Sequence, residues 1–181
     1  NGVTQDSNTA VLIYYNNVSD GVTSNSTTFA YDENGDAYTN GPITAQGQLP
    51  TTSQWKNVSL INATRNITDE KNTVRKSAFS YEGYAARLLT AQEVSAGCGF
   101  TVGKRTIGEL STKCKYLMEN TKYSSSSLKT YGGWLESPSA SFSSYAWFVY
   151  ANDSNVSHDT VIGHGSLGVR PAIEIAKTDI E

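Results

Sequence analysis

The longest apolar runs in this chain are no longer than one β-strand, and no other feature limits its fold so sharply. Val11-Leu12-Ile13-Tyr14-Tyr15 is typical of them, far short of the ~20 apolar residues that a bilayer-spanning helix needs. Between such runs stand Ser, Thr, Asn, Gly and Tyr, types that turn the chain or suit half-buried strands. A chain of 181 residues is long enough for one well-buried domain, here made of short strands and many turns.

Charge narrows the partners. Only 17% of the residues are charged and the net charge is -3, so hydroxyls and amides rather than Lys and Glu make the surface. No basic run occurs, which argues against a nucleic acid or an anionic membrane, because both require clustered Lys and Arg to displace counterions. The chain opens on Asn1-Gly2-Val3-Thr4 without a Met and is expected to be a mature fragment whose targeting segment or anchor lies elsewhere. Cys98 and Cys114 are expected to close one disulfide loop of about sixteen residues, worth roughly 3 kcal/mol on the chain-entropy model. The other reading is two separate buried thiols.

Residues 1–48 are expected to form a β-rich segment packed on the main domain, 49–181. Asn34-Gly35, between Phe29-Ala30-Tyr31 and Ala37-Tyr38-Thr39, reads as a hairpin turn, since these types accept positive φ cheaply. Trp55 to Arg65 reads as a further strand region with Trp55, Val58, Leu60 and Ile61 as core candidates, and a polar loop comes next, through Lys76. The strongest local signal is Thr90-Ala91-Gln92-Glu93. A Thr with a Glu three residues on is a capping box, in which hydroxyl and carboxylate each take one of the helix's unsatisfied amides. A short helix is expected from Thr90 to near Gly97, and a second over Glu109 to Asn120. Strands are expected to begin at Gly132 and to cover Ala146 to Tyr150, Thr160 to Ile162 and Val169 to Ile175.

Three motifs in this order are similar to a known architecture. Arg87-Leu88-Leu89-Thr90-Ala91-Gln92-Glu93 resembles the R-L-P-T-x-x-E segment of the formylglycine-generating-enzyme branch of the C-type-lectin-like fold, with Leu89 in place of Pro. Gly133-Trp134-Leu135-Glu136-Ser137-Pro138 resembles a Trp-Leu-x-Ser/Thr-Pro strand of these domains, and Gly168-Val169-Arg170-Pro171-Ala172 their closing G-F/V-R-P-A strand. The region also resembles secreted and prepilin-like domains of Firmicutes, and the variable proteins of diversity-generating retroelements, whose diversified segment lies just before the closing strand. The resemblance implies an α+β, C-type-lectin-like fold, loop-rich, with short helices around twisted antiparallel sheets. It also implies structural roles for Thr90, Glu93, Trp134, Trp147 and Arg170, the arginine and the helix acid tying strand, helix and loops through charge-assisted hydrogen bonds.

The late segment carries the candidate binding face. Alternation along Tyr145-Ala146-Trp147-Phe148-Val149-Tyr150 puts Trp147 and Val149 on one side and Phe148 and Tyr150 on the other. If the first pair is core, aromatics are left pointing outward. A face bearing Phe142, Ser144, Tyr145, Phe148, Tyr150, Asn152, Asp153, Asn155, His158, Asp159 and His164 joins rigid aromatic area to adaptable polar tips, the chemistry of a paratope. A sheet buried on both faces is the alternative.

Other chemistry lacks its spacing. The formylglycine-generating enzymes need a cysteine pair near the C-terminal strands, and both cysteines here precede Trp134. No nucleophile elbow, Walker loop, H-E-x-x-H or C-x-x-C occurs, and Ser, His and Asp without spacing make no triad. Asp32-x-Asn34-x-Asp36 begins like a calcium loop but has Ala37 where Gly is needed and Ile43 where the bidentate Glu belongs. His158 and His164 with Asp159 are read as exposed loop residues rather than metal ligands. The calcium loops of sugar-binding lectins are absent. Asn-x-Ser/Thr stands at Asn17, Asn25, Asn57, Asn62, Asn66, Asn152 and Asn155, the pattern either of a eukaryotic glycoprotein or of chance in a chain so rich in these residues. The expectation is an extracellular or cell-surface, non-enzymatic domain without cofactor or metal. It would bind a protein or cell-surface ligand through residues 142–166 and make no membrane contact of its own. The rivals are a structural pilin-like or cell-wall subunit and, behind it, an enzyme on the same fold.

Overall fold

Successive side chains of a strand point to opposite faces, and along Tyr145–Tyr150 that alternation divides the interior in two. Ala146 and Phe148 join one core cluster with Trp134, Tyr31, Ile67, Tyr81 and Val169. Trp147 and Val149 join another with Leu135, Leu89, Val94, Val156 and Ala172. The computed structural model describes residues 8–14, 17–18, 29–56, 58–98, 117, 132–150, 155–162 and 167–180.

Among these residues the fold is α+β, mostly sheet with a few short helices. The strands are β1 (Thr9–Ile13), β2 (Thr64–Thr68), β3 (Val74–Ser80), β4 (Gly132–Pro138), β5 (Tyr145–Tyr150), β6 (Asn155–Thr160), β7 (Leu167–Gly168) and β8 (Ala172–Ala176). The helices are α1 (Ala37–Asn40), α2 (Ile43–Gln46) and α3 (Ala91–Cys98). A four-stranded sheet runs β6-β5-β4-β7, and the pairs β1-β8 and β2-β3 form two small antiparallel sheets. β4 pairs antiparallel with β5, setting Trp134 opposite Phe148, and parallel with β7. Close approach of β4 and β5 demands glycine at 132, because a Cβ there would lie 1.7 Å from the Val149 carbonyl oxygen.

The early residues belong to the same framework. β1 pairs with β8 from Thr9↔Ala176 to Ile13↔Ala172, and Tyr31, Ala37 and Ala45 sit in the first core cluster. The turn at Asn34-Gly35 exists, with Gly35 at φ +79°, but it leads into α1 rather than into the second arm of a hairpin. Asp36 caps that helix by accepting the Thr39 amide. Asp32 fixes the turn, its two oxygens accepting the amides of Asn34 and Asp36 and the Asn40 side-chain amide. Local capping thus outweighs strand alternation.

Other boundaries shift as well. Within the stretch from Trp55 to Arg65, strand geometry begins only at Thr64, although Trp55 and Leu60 do pack on the first core. The expected polar loop is confined to residues 69–73, between the end of β2 at Thr68 and the start of β3 at Val74. The late strand expected at 160–162 lies earlier, as β6, and Arg170-Pro171 divides the closing strand into β7 and β8. The helix expected over 109–120 lies outside the described residues apart from Leu117. Cys98 is buried in the second core, and Cys114 is outside the described residues.

Candidate functional site

The turn between β4 and β5 and the first residues of β5 bring aromatic rings to the surface. Phe142 stands in the turn and is 52% exposed. Its ring lies 4.9 Å from that of Tyr145 and 5.8 Å from His158, while Tyr145 and His158 meet edge-on at 5.6 Å. His158 stacks on Trp147 at 4.7 Å and 16°, as the β5–β6 register requires by placing the two opposite one another. Trp147, 2% exposed, is therefore the buried floor of an aromatic ridge that climbs from the second core to solvent.

Backbone and side-chain bonds hold the turn. Ser139 donates its amide to the Tyr145 carbonyl, and Tyr145 donates to Phe142. The Tyr38 hydroxyl donates to the Ser139 carbonyl. Glu70, from the segment between β2 and β3, accepts the Ala140 amide at 2.7 Å and the Trp147 indole N–H at 2.9 Å through one oxygen. Arg75, bound to Asp69 at 2.6 Å, reaches the Ala140 carbonyl at 3.5 Å and covers the Tyr38 ring at 4.3 Å. His158 Nδ1 lies 2.8 Å from Ser139 Oγ. That serine is fully buried and its Oγ also accepts the Ser141 amide, so the pair ties the turn to β6 and offers no exposed nucleophile.

The candidate face separates into two sets. Phe142, Tyr145 and His158 come together. Phe148 does not join them: at 8% exposed it is a first-core residue, edge-on to Trp134 at 5.6 Å. Tyr150 is half-buried against the same core, edge-on to Phe148. The correction has a simple cause, since this sheet is covered on both faces and the side opposite Trp147 is core as well. Tyr145, moreover, shares the Trp147 side. Asp159 pairs with Ala146 and so lies on the first-core side, half-buried, accepting its neighbour's amide at Thr160. Ser144 is half-buried and its carbonyl accepts the Val161 amide. Asn152, Asp153 and His164 lie outside the described residues, as does the side chain of Asn155.

Arg65, Arg87, Glu93, Glu136 and Glu174 form a buried ionic hub whose members the sequence alone did not bring together. Arg87, 1% exposed, forms a two-pronged pair with Glu93 at 2.6 and 2.9 Å and reaches Glu174 at 3.0 Å. Arg65 lies 3.3 Å from Glu174 and 3.2 Å from Glu136, the latter an ion pair without hydrogen-bond alignment. Tyr81 donates to Glu136 at 3.0 Å. The expected capping box is present, Thr90 Oγ1 accepting the Glu93 amide and Glu93 accepting that of Thr90. One carboxylate therefore caps α3 and anchors it to Arg87.

Burial works to lower the Arg87 pKa, but the Glu93 hydrogen bonds and the surrounding carboxylates outweigh it and the net shift is upward. Burial works to raise Glu93, and the same bonds pull it below the usual carboxylate range. For Glu136 burial prevails over the two arginines and its pKa is raised. Tyr31 and Tyr81 are pushed up by burial and then by the Glu136 charge.

The arginine holding the helix acid is thus Arg87 rather than Arg170. Arg170 is buried and donates to the carbonyls of Tyr14 and Leu117 at 2.9 and 3.2 Å, tying the closing segment to the end of β1. Among the described residues no group of three or more His, Cys, Asp or Glu is placed to hold a metal ion, and no helix is long and apolar enough to cross a membrane. Asn17 is buried with its side-chain amide donating to the Gly132 carbonyl, which leaves that sequon without an accessible nitrogen. Neither a family model nor a curated protein or solved structure matches the chain.

Proposed function

We propose that this chain is a ligand-binding domain displayed outside the cell or on its surface. On this reading it has a C-type-lectin-like fold and captures a protein or cell-surface ligand at the ridge of Phe142, Tyr145 and His158. The observation that carries the reading is a half-exposed Phe142 packed on two half-buried rings above a buried Trp147. Large rings of fixed position give contact area at low entropic cost, the property that makes Tyr, Trp and neighbouring polar residues effective paratopes. The order of the Arg87–Glu93, Trp134–Pro138 and Gly168–Ala172 motifs supports the same fold, and a Cys98–Cys114 disulfide belongs to the reading as well. Mass measured with and without reductant tests that bond.

The function is tested by applying labelled domain to arrays of purified extracellular proteins and to cell surfaces, beside a Phe142→Ser/Tyr145→Ser/His158→Ser variant. Specific capture that falls at least tenfold (about 1.4 kcal/mol) in a variant with wild-type circular dichroism and melting supports the ridge. Equal capture by the variant, or loss of its fold, overturns it. Concentration-dependent mass in ultracentrifugation, with no capture, would favour a structural subunit instead.

A further inference from the structure

We infer that Glu70 is the positioning residue of the ridge, a role that rests on the ridge being the binding face. Glu70 acts through the floor of the ridge and the turn that carries it. It stands on the segment joining β2 to β3, and its Oε2 accepts two hydrogen bonds, one from the Trp147 indole at 2.9 Å and one from the Ala140 amide at 2.7 Å. The first fixes the plane of the indole on which His158 stacks. The second fixes the turn two residues before Phe142. Floor and crest of the ridge are therefore referred to one carboxylate oxygen.

The adjoining residues complete the hold. Asp69 accepts the amides of Lys71 and Thr73, which makes the segment a closed turn and sets Glu70 in place. Asp69 also binds Arg75, whose guanidinium reaches the carbonyl of the same Ala140 whose amide Glu70 takes. Both backbone polar groups of residue 140 are thus bound, the amide by the turn and the carbonyl by Arg75 at the start of β3. A hydrogen bond to a charged acceptor is stronger than a neutral one, and an indole N–H buried without its acceptor is costly, so the indole and the turn move together if Glu70 is removed.

The test uses the full chain and needs no ligand. In Glu70→Ala the Trp147 indole N–H resonance, assigned by its loss in Trp147→Phe, shifts and exchanges with solvent at least tenfold faster. Site-resolved carbethoxylation of His158 by diethyl pyrocarbonate speeds up severalfold, while melting stays cooperative. Glu70→Gln keeps an acceptor oxygen and restores slow exchange and slow modification. Unchanged exchange and modification in Glu70→Ala overturn the inference. If that variant fails to fold, Glu70→Asp, whose shorter side chain cannot reach both the Trp147 indole and the Ala140 amide, replaces it, and unchanged exchange and modification there overturn the inference equally. Neither readout depends on capture, so a failure here is separate from a failure of the binding assay.

Discussion

Replacing Arg87 by Met tests whether the buried hub holds the layers together. The substitution keeps most of the side-chain volume and removes the guanidinium that donates twice to Glu93 and once to Glu174. Glu174 retains Arg65 at 3.3 Å, but Glu93 keeps only the Thr90 amide. Stranding one buried member of an ion pair costs about 3–5 kcal/mol, a large share of the ~5–15 kcal/mol that holds a domain folded. At roughly 2–4 °C per kcal/mol for a chain of this size, melting falls by about 6–20 °C. The pH dependence has a definite sign. In the wild type Glu93 is held below the usual carboxylate range, so its contribution is present above the unfolded value and lost as pH falls through the folded one. In the variant, burial, the largest cause, is opposed only by the Thr90 amide and the Arg65 charge, so that pKa rises above its wild-type position and the deficit shrinks as Glu93 takes up its proton. Urea unfolding at about pH 7 and about pH 4 measures both, and adding Glu93→Gln should recover about half of the loss. A deficit under about 1 kcal/mol at neutral pH, or one that does not change with pH, refutes the reasoning.

The geometry sets three further outcomes. Phe148→Ala should cost about 3–5 kcal/mol as a core truncation, whereas Phe142→Ala should stay within about 0.5 kcal/mol; similar losses in chemical denaturation would mean the two rings are misassigned. Glu136, whose pKa burial raises, binds its proton more readily folded than unfolded, so stability is lost as pH rises from the unfolded to the folded value. Glu136→Gln removes that loss and should gain on the wild type between acid and neutral pH, as melting curves across that range would show. Gly132→Ala must displace β4 from β5, given the 1.7 Å approach to the Val149 carbonyl, and should cost at least about 1–3 kcal/mol by overpacking; an unperturbed melting temperature would contradict the pairing.

The features legible in the sequence were local ones. The Thr90–Glu93 cap spans four residues and its chemistry is complete within them, and β5 announces itself by an apolar run. The hub was not legible because the contacts that close it are far apart in the chain, Arg65 and Glu174 by 109 positions and Arg87 and Glu174 by 87; the Glu70–Trp147 bond under the ridge likewise spans 77. Glu136 lies in the Gly133–Pro138 segment that the sequence singles out, yet nothing beside it indicated that Arg65 would face it. Phe148 was misplaced for another reason. Alternation decides which residues share a face, but only the layers above and below decide whether that face is wet.

The restraint on the turn determines how the ridge would act. Phe142 is exposed in a segment whose residue 140 is bound through both its amide and its carbonyl, and its ring already rests on Tyr145 and His158. A ligand that covers it therefore does not meet the ordering cost of about 0.5–1.5 kcal/mol for a freely rotating side chain. Pre-set contacts of this kind act after encounter. On the proposed reading, ridge substitutions should shorten the lifetime of the complex and leave its association rate almost unchanged. Surface-binding kinetics separate the two rates, and a variant that slowed association while leaving dissociation alone would place the recognition elsewhere on the domain.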